Sequence, residues 1–184
     1  ADERRPRFDL DGAVDQAGGI LTVGENLTFV EGALIANQGA IATSTQAAIA
    51  TISIQRSIIA NSQDFGVATS GNLEIVDSQL ISNAGPGLEH SGTLRLIRSG
   101  ISNSGESGLI ISRGRISDTA ELIDSQIEQN GGSGIQTGED NGYGVDITLQ
   151  NSSITGNIGG GIEGDSYINL QAANSGIDSN GQGG

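Results

Sequence analysis

Along most of the chain, apolar residues recur at every second position in short runs, each closed by a polar corner. The apolar pairs are Leu27/Phe29, Ile52/Ile54, Leu73/Ile75, Leu94/Leu96, Ala120/Leu122, Ile147/Leu149 and Leu170/Ala172. Alternation with a period of two is the mark of a strand that buries one face. Three residues after each pair stands a Ser (Ser57, Ser78, Ser99, Ser125, Ser152, Ser175), with Gly32 in its place at the start. Two residues further on come Leu34, Ile59, Leu80, Ile101, Ile127, Ile154 and Ile177. Four or five residues after the Ser come Asn37, Asn61, Asn83, Asn103, Asn130, Asn157 and Asn180. A second short strand then opens on Gly at Gly66-Val67, Gly87-Leu88, Gly108-Leu109, Gly134-Ile135 and Gly161-Ile162. No helical period occurs anywhere.

Seven statements of one phrase at spacings of 21 to 27 residues make an internal repeat. A single repeat has nothing to bury its apolar stripe against. Stacked repeats bury it continuously, each pairing in parallel with the next at about 4.8 Å, or roughly 34 Å for seven coils. The expected fold is all-β: a single-stranded, right-handed parallel β-helix of about seven coils over residues 19–184. Residues 1–18 form an N-terminal lead-in or cap. The recurrent Asn suits a tight corner, where it tolerates left-handed backbone and bonds the Asn above and below. The recurrent Ser is a small hydrogen-bonding corner residue. Both columns are read as structural.

Charge supports the same register. The residues just before the Ser column read Glu31, Arg56, Asp77, Arg98, Asp124, Asn151, Asn174, and a second outward column holds Glu74, Arg95 and Glu121. Opposite charges on adjacent strands pair favourably, whereas like charges repel. Each pair is weak at the surface. Together they identify which residues are neighbours.

Composition narrows the class. Thirty Gly, two Pro and 3% aromatics do not suit a helical bundle, and a narrow solenoid has little room for large rings. The net charge of −14, with eight Arg and no Lys, argues against nucleic acid or an anionic membrane as partner. It favours solubility, cation association or a salty exterior. No Cys leaves the redox compartment open, and no apolar run reaches the roughly 18 residues of a membrane span. A start at Ala1 with no Met anywhere points to a processed or excised segment.

Two consecutive coils are interrupted. Seven to nine residues separate Gly66, Gly87 or Gly161 from the next apolar pair, but twelve or thirteen follow Gly108 and Gly134. The surplus lies around 113–119 and 138–144. In a stack these segments project side by side from one flank, and insertions of this kind map to loops, often on a binding face. They carry Arg113, Arg115, Asp118, Glu139, Asp140, Asn141 and Tyr143 as candidate ligand-binding residues. Glu139, Asp140 and Asp146 are the candidate ligands for Ca²⁺, the one cofactor considered, which takes six to eight oxygens. The bland alternative is a pair of tolerated surface loops. His90, the single histidine, is read as a solvated residue beside Glu89. Gly131-Gly132-Ser133-Gly134 lacks the Asp of a Gly-rich Ca²⁺-binding repeat, Gln136 standing in its place.

The phrase Ser-x-Ile-x-x-Asn-x-Gly-x-Gly-Ile, as in Ser125 to Ile135 and Ser152 to Ile162, resembles the right-handed parallel β-helix repeats of the pectate-lyase-like superfamily. That resemblance covers about residues 19–181. It implies a fold shared by polysaccharide lyases, hydrolases and epimerases, phage tailspikes and bacterial surface adhesins. Asn141-Gly142-Tyr143-Gly144-Val145-Asp146 looks faintly like a segment of alginate epimerases, but Ile147-Thr148 replaces the Pro-His of that motif. The Lys and clustered Asp of the lyases are absent, as is the Gly-His-Gly of the polygalacturonases. Fold alone does not carry function.

The expectation is therefore a non-enzymatic stalk or adhesive segment of a secreted or cell-surface bacterial protein, contacting glycan or another protein through its flank loops. A carbohydrate-active enzyme with its site on the same loops is the alternative. End-to-end or lateral self-association is a third reading, because the chain stops at Gly184 just after the seventh Asn corner without a polar capping segment.

Overall fold

The computed structural model describes residues 7–11, 14–17, 20–23, 26–30, 33–35, 41–43, 51–112, 118–138, 144–164 and 167–181. Strands β1 (Arg7–Asp11), β2 (Val14–Ala17), β3 (Ile20–Val23), β4 (Asn26–Val30), β5 (Ala33–Ile35) and β6 (Ile41–Thr43) come first. They are followed by β7 (Thr51–Gln55), β8 (Ile58–Ala60), β9 (Val67–Val76), β10 (Gln79–Ile81), β11 (Leu88–Ile97), β12 (Gly100–Ser102) and β13 (Leu109–Ile111). The remaining strands are β14 (Asp118–Ile123), β15 (Gln126–Glu128), β16 (Ile135–Thr137), β17 (Val145–Gln150), β18 (Ser153–Thr155), β19 (Ile162–Gly164), β20 (Ile168–Ala173) and β21 (Gly176–Asp178). All described elements are strands.

From β5 onward every pairing is parallel and joins one coil to the next, so the chain is a parallel β-solenoid, as the alternation predicts. β5, β8, β10, β12, β15, β18 and β21 form one sheet, with Leu34, Ile59, Leu80, Ile101, Ile127, Ile154 and Ile177 in register. A second sheet has 14 strands in two stacks, joined because β9 and β11 run through both. At the other end β1 pairs antiparallel with β4, and β2 with β3. Each statement of the repeat has its strand in the seven-stranded sheet. Turns described through all three strands run only from Thr51 to Gly164, so there are about five complete coils rather than seven.

The core is the set of stacked inward positions. Ile52, Leu73, Leu94, Ala120 and Ile147 form one buried column, and Ile54, Ile75, Leu96, Leu122 and Leu149 a second. Val67, Leu88, Leu109 and Ile135 form a third. Aliphatic side chains pack on their counterparts one rung away, which fixes the register because a slip of one residue would turn every one of them outward.

The corners explain the rest of the phrase. Two residues per coil adopt left-handed backbone. One stands just before the Ser (Arg56, Asp77, Arg98, Asp124, Asn151 and Asn174, φ from 46° to 50°). The other stands four residues after it (Asn61, Ser82, Asn103, Gln129 and Ser179 at 55° to 57°, Gly156 at 67°). The first turn leaves the Ser N–H without a carbonyl partner. The hydroxyl of the next coil's Ser fills that role: Ser57 N donates to Ser78 Oγ at 3.0 Å, and the relay continues through Ser99, Ser125 and Ser152 to Ser175. Each hydroxyl in turn donates to the carbonyl two residues back. The Ser column is structural, as its spacing suggests.

The Asn column is two columns. Asn83, Asn130 and Asn157, five residues after the Ser, are buried; their Oδ1 atoms accept the main-chain N–H of Ser62, Ser104 and Asn130. Asn157 N donates in the same way to Asn180 Oδ1 at 3.1 Å. Asn61 and Asn103, four residues after the Ser, are exposed and occupy the second left-handed position. In those two coils Ser62 and Ser104 take the ladder position instead. A Gly column (Gly87, Gly108, Gly134, Gly161) lies against the ladder and the Ile column, where a Cβ would collide with Ile101, Ile127, Ile154 or Ile177.

Candidate functional site

The flank between the two stacks of the 14-stranded sheet is where the coils differ. In the second and third complete coils the crossing is tight: Gly71 and Gly92, at φ 100° and 116°, bend β9 and β11 without interrupting them. Any side chain there would be strained, and at Gly92 a Cβ would also collide with the Gly71 backbone. In the next coils the strands stop. β13 ends at Ile111 and β14 opens at Asp118; β16 ends at Thr137 and β17 opens at Val145. Because β13 pairs with β16 and β14 with β17, the two longer connections leave and rejoin the stack on neighbouring rungs. Arg113, Arg115, Glu139, Asp140, Asn141 and Tyr143 lie outside the described residues.

Two of the sequence-derived candidates are described, and they differ in kind. Asp118 is 6% exposed rather than on a surface loop, and its Oδ1 accepts the Gly92 N–H at 2.6 Å. Its carboxylate caps the neighbouring tight bend. Asp146 is exposed at the start of β17, where its Oδ1 accepts Asn169 Nδ2 at 3.0 Å. Among the described residues, no group of three or more His, Asp or Glu is placed to hold a metal ion.

His90 overturns its sequence reading. It is 2% exposed, because it shares the inward parity of Leu88 while Glu89 points out. Its ring lies in the column Thr69, His90, Ile111, Thr137, with Nδ1 2.9 Å from Thr69 Oγ1. Nε2 is buried without a hydrogen bond of normal geometry, although backbone groups of Thr93, Gly71 and Thr69 are near enough to favour the charged form slightly. Burial dominates and lowers the imidazole pKa to about 4. A ring that is neutral and enclosed at neutral pH has no path to a solvent-borne substrate. Outside it, Ser112 Oγ donates to Glu89 Oε1 at 2.6 Å.

The charge columns pair as their order predicts. Arg98 forms two hydrogen bonds to Asp77, at 2.7 and 2.9 Å, and lowers that carboxyl's pKa. Arg95 bridges Glu121 at 2.8 Å and Glu74 at 3.1 Å. Where charge runs out, amides continue the column: Asn151 Nδ2 donates to Asp124 and Asn174 Nδ2 to Asn151. These contacts tie Arg95, Arg98, Asn151 and Asn174 to the neighbouring coils.

One residue on the flank had no part in the sequence reading. Tyr167 precedes β20 and is 76% exposed. Its carbonyl accepts the Val145 N–H at 2.8 Å, which seats it beside Gly144 on the rung above the second insertion. The signal available in the sequence was the nine-residue connection from Gly161 to Leu170, a milder lengthening of the same crossing.

No protein-family model, curated protein or solved structure matches the chain.

Proposed function

We propose that this chain is a non-enzymatic, rigid segment of a secreted or cell-surface protein, and that it contacts glycan through the flank interrupted at 112–118 and 138–144. The observation that carries the reading is the contrast between the faces. Along the corners the Ser and Asn side chains are spent on neighbouring coils, and on one sheet face Arg95 and Arg98 are spent on carboxylates. At the flank the strands end and rejoin with extra chain between them. A uniform stack supplies stiffness, and function on such scaffolds is borne by the connections. The acidic surface and the resemblance of the repeat to those of surface β-helix proteins support the location. A charge of −14 keeps such a surface soluble and disfavours polyanions.

The test replaces residues 113–118 and 139–144 with the short connections found around Gly71 and Gly92. Intact and shortened proteins are compared on a glycan array, with and without Ca²⁺. The reading requires the intact protein to bind and the shortened one, with an unchanged cooperative melt, to lose binding. Equal binding by both proteins refutes it. Release of shortened oligosaccharides during incubation would move the assignment to a carbohydrate-active enzyme.

A further inference from the structure

We infer that Tyr167, Asp146 and Asn169 form a binding patch for a neutral, hydroxyl-rich sugar; the inference rests on the glycan reading above and assigns it a place. Tyr167 and Asn169 are two residues apart on one extended segment, with the partly buried Ile168 between them turned inward. Their side chains therefore leave the same face, about 7 Å apart along the strand. Asp146 lies directly opposite Asn169 on the next strand, about 4.8 Å away across the sheet. The three groups thus span about one sugar ring.

Each contributes a different part of carbohydrate recognition. The Tyr167 ring is a flat apolar surface for the C–H face of a pyranose. Gly144 stands opposite Tyr167, where a Cβ would lie 3.6 Å from the Tyr167 Cβ, so Gly144 itself puts no side chain against the ring. Asn169 Nδ2 donates to Asp146 Oδ1 at 3.0 Å, and this bond orients both planar groups. Asp146 and Asn169 are both exposed, and Asp146 Oδ2 and Asn169 Oδ1 keep acceptor capacity for a pair of ligand hydroxyls. Both strands are held in the parallel stack, so little ordering accompanies binding. A carboxylate in the patch and an acidic chain repel uronates and sulfated sugars, which sets the class as neutral.

Isolated exposed aromatics are ordinary on protein surfaces. What distinguishes Tyr167 is its place at the lengthened flank, beside a glycine and a pre-oriented carboxylate–amide pair.

The full 184-residue protein is titrated by calorimetry with cello-, malto- and manno-hexaose, and with oligogalacturonate as the anionic comparator. Saturable binding of a neutral series is expected. In calorimetry, Tyr167→Ala and Asp146→Ala should each weaken binding at least tenfold, while Tyr167→Phe retains it. Neutral-sugar binding that is unchanged in Tyr167→Ala and Asp146→Ala refutes this patch and leaves the flank reading in place. Binding of oligogalacturonate alone does the same. Absence of binding to any of these sugars overturns the patch, and failure of the intact protein on the array as well overturns the glycan reading with it.

Discussion

Asn157 Oδ1 accepts two hydrogen bonds from Asn130, one from the main-chain N–H at 3.1 Å and one from the carboxamide Nδ2 at 2.9 Å. Asn180 repeats the arrangement with Asn157. Each carboxamide also donates back to a carbonyl of the preceding coil, as Asn157 Nδ2 does to Ile127 O at 3.3 Å. A buried corner that would otherwise orphan an N–H is thereby satisfied by one side chain wherever the next coil carries Asn at this position.

The two Asn positions should consequently respond differently to the same change. Asn130→Gly removes an acceptor from Ser104 N and leaves that donor buried, at a cost of about 2–3 kcal/mol in urea melts. Asn103→Gly relaxes a left-handed backbone at an exposed site, where Gly156 stands in another coil, and should be within about 0.5 kcal/mol of wild type. Equal losses at both sites would mean that the ladder is not the source of the stability.

The ladder is broken where Ser replaces Asn. Asn83 Nδ2 and the hydroxyls of Ser62 and Ser104 are buried without hydrogen-bond partners. Ser104→Asn would place an Oδ1 where Asn83 can reach it, in the geometry that Asn157 offers Asn130. Gly87 leaves the room, as Gly108 does beside Asn130. A gain of about 1–2 kcal/mol is expected, the usual cost of an unsatisfied buried group. A destabilised variant would show that this corner cannot hold a carboxamide.

How far the sequence could be read follows from these residues. Inward parity, the Ser column and the Gly-Ile step are dictated by local sterics and recur in every coil, so they were legible. The Asn residues at positions four and five merged because both sites favour Asn, one for left-handed backbone and one for a carboxamide acceptor. His90 was misplaced on general grounds, although its parity with Leu88 already put it inside. At the flank, spacing located the interruptions. It could not show that Asp118 turns inward to cap Gly92, because that contact joins residues 26 apart. Tyr167 was missed because the nine-residue connection from Gly161 to Leu170 was grouped with the short ones.

Reversing charge at Arg98 tests the outer column. Glu at this position would face Asp77 on one side and Asp124 on the other, losing two hydrogen bonds and adding repulsion. Arg98→Glu should melt at lower urea than wild type in dilute buffer. The gap should narrow in about 0.5 M NaCl, where exposed charges are screened within a few ångströms. A gap independent of salt would count against the pairing.

His90 makes a prediction about acid. Its pKa falls from an ordinary 6.5 to about 4 in the folded chain, so the unfolded chain binds the proton first as pH drops. The stability of the neutral buried ring is fully present above about pH 6.5 and is lost progressively down to about pH 4. A shift of 2.5 units corresponds to at most about 3 kcal/mol. His90→Ile, which puts in this column the residue that stands at Ile111, should remove the histidine's share of the slope over that window. All other titrating groups are common to the two proteins, so the difference between their curves isolates the histidine. Urea midpoints measured at half-unit steps from pH 4 to 7.5 should therefore converge or cross towards the acid end if the variant begins less stable, and diverge if it does not. Parallel curves would place the ring in contact with solvent.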